Sequence, residues 1–87
     1  MRFEYDIHKS AMNKLKHGIN FEEAKLLWND PEALEIPLRY EGESRFAVLG
    51  KFYDKHWTAI ITYRDNAIRI ISVRRARKNE VYIYENC

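Results

Sequence analysis

The chain of 87 residues has one cysteine, and it is the final residue, Cys87. No internal disulfide can form, so the fold needs an apolar core, and the cysteine usage fits a reducing compartment. No apolar run approaches the roughly 18 residues of a membrane span, and the opening MRFEYDIHKS lacks a signal-peptide core. The expectation is a cytoplasmic protein with no membrane role. Glycine is scarce: Gly18, Gly42 and Gly50 stand alone, which excludes a Gly-rich phosphate loop. His8, His17 and His56 fall in three different elements, and no His or Cys pair has ligand spacing. Neither a metal nor a cofactor is therefore expected. A serine nucleophile elbow is also missing, and a terminal cysteine is a poor nucleophile.

What is present is apolar bulk and an uneven charge. With 46% hydrophobic and 14% aromatic residues, disorder is excluded and one domain over 1–87 is expected. Residues 1–43 carry six Lys/Arg against nine Asp/Glu, whereas 44–87 carry nine against four. The net +2 thus hides a basic second half, which either meets a polyanion or is a solvated charged surface.

Residues 3–6 (FEYD) are short but suit an edge strand. Asp6 is placed to cap a first helix, in which Ile7, Ala11 and Leu15, with Met12 beside them, recur at helical spacing. Lys14, Lys16 and His17 fill the last turn, and Gly18 occupies the left-handed stop position. A second helix begins at Asn20, with Glu23 completing a capping box and Ile19 and Ala24 at the staple positions. Its apolar stripe is Phe21, Ala24, Leu27 and Trp28, and Asn29-Asp30-Pro31 ends it.

Beyond Pro31 the period becomes strand-like. Residues 33–38 form an edge strand carrying Pro37, and 39–44 a polar turn around Gly42. Residues 45–53, 56–64 and 67–73 are β-branched and aromatic, joined by Asp54-Lys55 and Asp65-Asn66, so they should pair as an antiparallel meander. On the middle strand Thr58, Ile60, Thr62 and Arg64 oppose Trp57, Ala59, Ile61 and Tyr63; on the last, Arg69, Ile71 and Val73 oppose Ile68, Ile70 and Ser72. The tail favours a helix, although VYIY has strand propensity. The predicted fold class is α+β: two N-terminal helices, an antiparallel sheet of three to five strands and a C-terminal helix.

The conspicuous feature is IRIISVRRARKNE (68–80), where Arg74, Arg75, Arg77 and Lys78 fall within five positions. In the first turn of a helix these cations oppose the macrodipole, at about 0.3–1 kcal/mol per exposed charge. They either build an anion site beside free N–H groups or are neutralised by Glu22, Glu23 or Asp30. Arg64 and Arg69 either sit at a rim or reach into a cleft. Lys16 and His17 either serve a helix C-terminus or, for His17, hold a phosphate or act as a general acid.

Taken together, KHGINFEEA (16–24), Asp30-Pro31, R-x-x-x-x-G at Arg45–Gly50 and IRIISVRRARKNE with a downstream tyrosine resemble the BrnT family of type II toxins. The resemblance runs from about Phe3 to Tyr84, with Val73 where alanine is commoner and a less basic, more aromatic C-terminal segment. It implies a RelE-like fold and an endoribonuclease that inhibits translation. It also implies a BrnA-like antitoxin with a ribbon-helix-helix domain, through which the pair would bind operator DNA. Metal-independent RNA cleavage can use the substrate's 2′-OH, given proton-transfer groups and cations for the phosphorane. On that reading Arg64, Arg74 and Arg75 form a phosphate clamp, and Glu80 or His17 moves protons. Lys16, Arg45 and Arg69 contact the RNA backbone, and Tyr53 or Tyr84 stacks a base. Glu80 has a plain alternative, an ion pair with Arg77. The rival function is a non-catalytic basic module that docks an acidic protein or a nucleic acid. A nucleic-acid-binding regulator ranks last, because no segment resembles a recognition helix and the charge is modest.

Overall fold

The local signals that open and close the helices hold in the computed structural model, which describes residues 2–39 and 41–87. The Asp6 carboxylate accepts the His8 and Lys9 backbone N–H groups and starts helix α1 (Ile7–His17), which Gly18 ends at φ 80°. Asn20 and Glu23 form the reciprocal capping box that opens α2 (Phe21–Ala24). The expected long second helix is not formed. After one turn, α2 tightens into a 3₁₀ stretch over Lys25–Asn29. With three residues per turn, Ala24 and Leu27 fall on one line, and both are fully buried.

The five strands are β1 (Arg2–Glu4), β2 (Leu34–Leu38), β3 (Arg45–Phe52), β4 (Lys55–Arg64) and β5 (Ala67–Arg75), in sheet order β1-β5-β4-β3-β2. The sheet is mixed rather than antiparallel, because β1 pairs with β5 in parallel. That pairing joins segments far apart in the sequence (Arg2 faces Ala67), and no local pattern encodes it. The β4–β5 hairpin turns at Asp65-Asn66 with φ of 48° and 68°, as a two-residue primed turn requires. The β3–β4 turn is Tyr53-Asp54 (φ 51° and 61°) rather than Asp54-Lys55. Tyr40, within the turn expected at 39–44, lies outside the described residues.

One face of the sheet carries the core: Val48, Trp57, Ala59, Ile61, Ile68, Ile70 and Val73 pack against Ile19, Phe21, Ala24 and Leu27. The alternation expected for β5 separated Val73 from Ile68 and Ile70. A bulge corrects it: Ile60 faces Ser72 and Ile61 faces Ile70, leaving Ile71 as the extra residue. The added residue reverses the parity, so Val73 joins Ile68 and Ile70 in the core. Gly50 belongs to the same face for a steric reason. A Cβ there would stand 2.7 Å from Leu27 Cδ2, so the 3₁₀ turn can settle on β3 only where no side chain intervenes.

Helix α1 packs in an unusual way. Its buried residues are Ser10 and Asn13, not its apolar row. β1 covers β5 only at residues 67–69, and the Asn13 side chain takes over at Val73. It donates to the Val73 and Ile19 carbonyls at 2.8 Å and accepts the Val73 N–H at 3.4 Å. Ser10 Oγ accepts the Phe21 N–H. An amide therefore replaces the missing strand, because buried backbone polar groups must be paired.

Candidate functional site

β5 runs two residues further than the sequence suggested, and this decides the fate of the arginines. Arg74 and Arg75 pair opposite Thr58 and Trp57 in the ladder, and helix α3 (Lys78–Glu85) begins only after Arg77. They therefore do not occupy a helix first turn. As neighbours on a strand, they project to opposite faces.

On the face away from the core, Arg74 forks onto Glu80 of α3 with N–O distances of 2.8 and 3.0 Å. Glu80 also accepts the Thr58 hydroxyl at 3.0 Å and the Arg77 backbone N–H at 2.7 Å. The pair is largely buried, with side chains 22% and 14% exposed. The Arg74 guanidinium, helped by those two further donors, lowers the Glu80 carboxyl to about 2 against the cost of burial. Glu80 is thus a fixed anion that holds α3 to the sheet. Its partner is Arg74 rather than Arg77's side chain, and none of Glu22, Glu23 or Asp30 neutralises the cluster. Glu22 pairs with Lys25, Glu23 with Lys14, and Asp30 accepts the Tyr84 hydroxyl at 2.6 Å.

On the core face, Arg75 lies over the Trp57 ring, 5.5 Å from its centroid. It borders a cleft of about 260 Å³ lined also by His17, Gly18, Ile19, Glu23, Phe52, Tyr53, Lys55 and Trp57, the Glu23 carboxylate being paired with Lys14. It is supplied by the C-terminus of α1, the β3–β4 hairpin with the strand ends on either side of its turn, the end of β5, and Glu23 of α2. Phe52 stacks on Trp57 at 5.6 Å and 17°. Tyr53 stands 78% exposed, held out by a left-handed backbone that bulky residues seldom adopt. The Trp57 indole N–H is buried without an acceptor among the described residues. Lys55 and Arg75 have no carboxylate partner there either, so their charge is available to a ligand.

The structure thus gathers His17, Tyr53 and Arg75 of the sequence candidates around one space, with Lys16 adjoining His17 along α1. It does not bring the others there. Arg64 lies six residues along β4 from Thr58, about 20 Å away, and pairs with Glu43 at 3.1 Å. Arg45 engages the same Glu43 at 3.7 Å, and Arg69 reaches Glu4 at 3.4 Å. Tyr84 is bonded to Asp30 and packed edge-on against His56, its hydroxyl pushed up to about 12 by burial and the Asp30 carboxylate. Arg64, Arg74 and Arg75 consequently share no single anion-sized space. Phe52, Lys55 and Trp57 were missed. The one available signal was that Trp57 lies close after a hairpin turn, near the start of a strand, which puts a large ring toward the sheet's end.

With this geometry, the cleft offers fixed positive charge, an imidazole and aromatic faces: the parts needed to hold a phosphodiester and an unstacked base. Over residues 5–80 the chain matches the family described as "Ribonuclease toxin, BrnT, of type II toxin-antitoxin system". No curated protein gives a significant match.

Proposed function

Because the chain belongs to the BrnT family of type II ribonuclease toxins, we propose that it is a metal-independent endoribonuclease of the mRNA-interferase type that inhibits translation. The observation that carries this reading is the cleft in which His17, Lys55 and Arg75 meet the rings of Phe52, Tyr53 and Trp57. In the proposed reaction the 2′-OH attacks the adjacent phosphorus. The bond to the 5′-oxygen of the next nucleotide breaks, leaving a 2′,3′-cyclic phosphate and a free 5′-hydroxyl. Arg75 meets the charge that builds on the non-bridging oxygens, since a guanidinium presents paired donors to phosphate. His17, the only imidazole that lines the cleft among the described residues, exchanges the protons. Lys16 and Lys55 contact the flanking phosphates, and Tyr53 stacks a base. Glu80 stays ionised and bonded to Arg74, so its assigned role is structural. Arg45, Arg64 and Arg69 stand too far away to join this clamp and serve, if RNA extends along the sheet, its outlying phosphates.

The motif resemblance supports the remaining parts of the proposal: a single domain over 1–87, a cytoplasmic site of action and a BrnA-like ribbon-helix-helix antitoxin. Through that antitoxin the pair would contact operator DNA.

The test is cleavage of a 5′-labelled RNA by purified protein in excess EDTA. We expect fragments ending in cyclic phosphate, lost with His17→Ala or Arg75→Ala, and growth arrest on induced expression. A folded wild-type protein that leaves RNA intact would reject the enzyme reading. Activity that disappears only with EDTA would reject metal independence.

A further inference from the structure

The apolar row of α1 faces solvent. Ile7, Met12 and Leu15 are 74%, 64% and 83% exposed, and Ala11 beside them is exposed too. They are outside because Ser10 and Asn13 occupy the inward side, where they complete the edge of β5. Ile7, Ala11 and Leu15 border a groove of about 570 Å³ between α1 and the start of α2, whose other wall includes Tyr5, Asn20 and Glu22. An exposed apolar row of this kind marks an interaction surface.

Charge says what fits there. Between Ile7 and His17 there are three lysines and two histidines but no acid. The nearby carboxylates are already engaged: Asp6 caps the helix, Glu22 takes Tyr5 and Lys25, and Glu23 takes Lys14. Lys9 and Lys16 border the row on its Met12 side, with no acidic partner among the described residues. A second copy of the chain would bring like charges together. RNA has acid but no apolar row, and a bilayer cannot enter a groove. An amphipathic helix with an acidic rim satisfies both the row and the lysines.

We propose that α1 is the surface on which the antitoxin docks, laying an acidic amphipathic helix along Ile7, Ala11 and Leu15 with its carboxylates toward Lys9 and Lys16. This rests on the reading of the chain as a toxin with a protein antitoxin. Leu15 and His17 are two residues apart and so lie on opposite sides of α1, which places the docked helix beside the cleft that His17 lines rather than over it.

The experiment measures binding of the protein encoded beside the toxin gene to wild type, Ile7→Asp, Leu15→Asp and Lys9→Glu, with RNA cleavage measured in parallel. Each aspartate should weaken antitoxin binding by about 30-fold or more, as for an interface anchor, and leave cleavage unchanged. Lys9→Glu should cost less and should flatten the salt dependence that wild type shows. Because all three side chains are exposed, circular dichroism should show native folding, and either aspartate variant suffices if the other precipitates. Unchanged antitoxin affinity, or no antitoxin binding by wild type, overturns the proposal. So does a loss of cleavage (an RNA surface), of self-association (a second copy) or of binding to anionic vesicles (a lipid surface) in place of the loss of antitoxin affinity. Wild type that binds the antitoxin through this row yet cleaves no RNA would instead sink the ribonuclease reading alone.

Discussion

Arg74 and Arg75 are neighbours in sequence with the same side chain, and the fold gives them opposite tasks. Arg74 faces α3, forks onto Glu80 and is largely buried. Arg75 faces the cleft, rests on Trp57 and meets no carboxylate among the described residues. A compensated arginine holds structure together, whereas an uncompensated one keeps its attraction for an anion. The lesson is that a basic cluster in a sequence counts charges but does not say which are already spent. Here the alternation of one strand divides the cluster.

The comparison can be broken by substitution, and the largest effect is expected at Arg75. Arg75→Ala should lower RNA cleavage by about 100-fold or more, comparable to losing one oxyanion donor, with an unchanged melting curve. A variant that cleaves normally would show that the available charge is not the working one. Arg74→Ala should do the reverse. It strands the Glu80 carboxylate, and urea unfolding should show a loss of about 2 kcal/mol, between exposed and fully buried pairs. Cleavage per folded molecule should persist.

Acid sharpens the same contrast. Glu80 has a folded pKa of about 2, below its ordinary value of 4.5. A depressed carboxyl contributes stability fully above the unfolded pKa and loses it as pH falls through the folded one. The stability gap between wild type and Arg74→Ala should therefore be constant above about pH 5 and narrow between about 4.5 and 2. A gap that stays level across that window would mean that the pair does not titrate as a unit. The smallest change is expected at Arg77. Its backbone N–H, not its side chain, binds Glu80, so Arg77→Ala should shift stability by less than about 0.5 kcal/mol.

Much of the frame was legible because it is written locally. Asp6, Gly18, Asn20 with Glu23, and Asp65-Asn66 each satisfy or reverse the backbone within a few residues, and each does so where its side-chain chemistry predicts. The C-terminal helix was only the favoured reading, on spacing and propensity, since VYIY left a strand open, and it starts at Lys78, after Arg74 and Arg75 have paired in β5. The candidate site was legible only in part: His17, Tyr53 and Arg75 could be named, but not separated from Arg64, Arg74 or Tyr84. Those last three are engaged by Glu43, Glu80 and Asp30, which lie between 6 and 54 residues away in sequence. Ion pairing over such distances leaves no periodicity to find.

What the sequence alone determined was the order of helices and strands, the basic second half and the family motifs, since caps, turns and alternation act between near neighbours. The tertiary structure decided three things. The bulge at Ile71 set which side chains share the core with Val73. The open edge of β5 drew Asn13 inward and left the apolar row of α1 outside. The arrival of Glu80 over one face of β5 neutralised Arg74 and left Arg75 its charge. Each depends on which distant groups meet, and desolvation and pairing energies are settled only by that meeting.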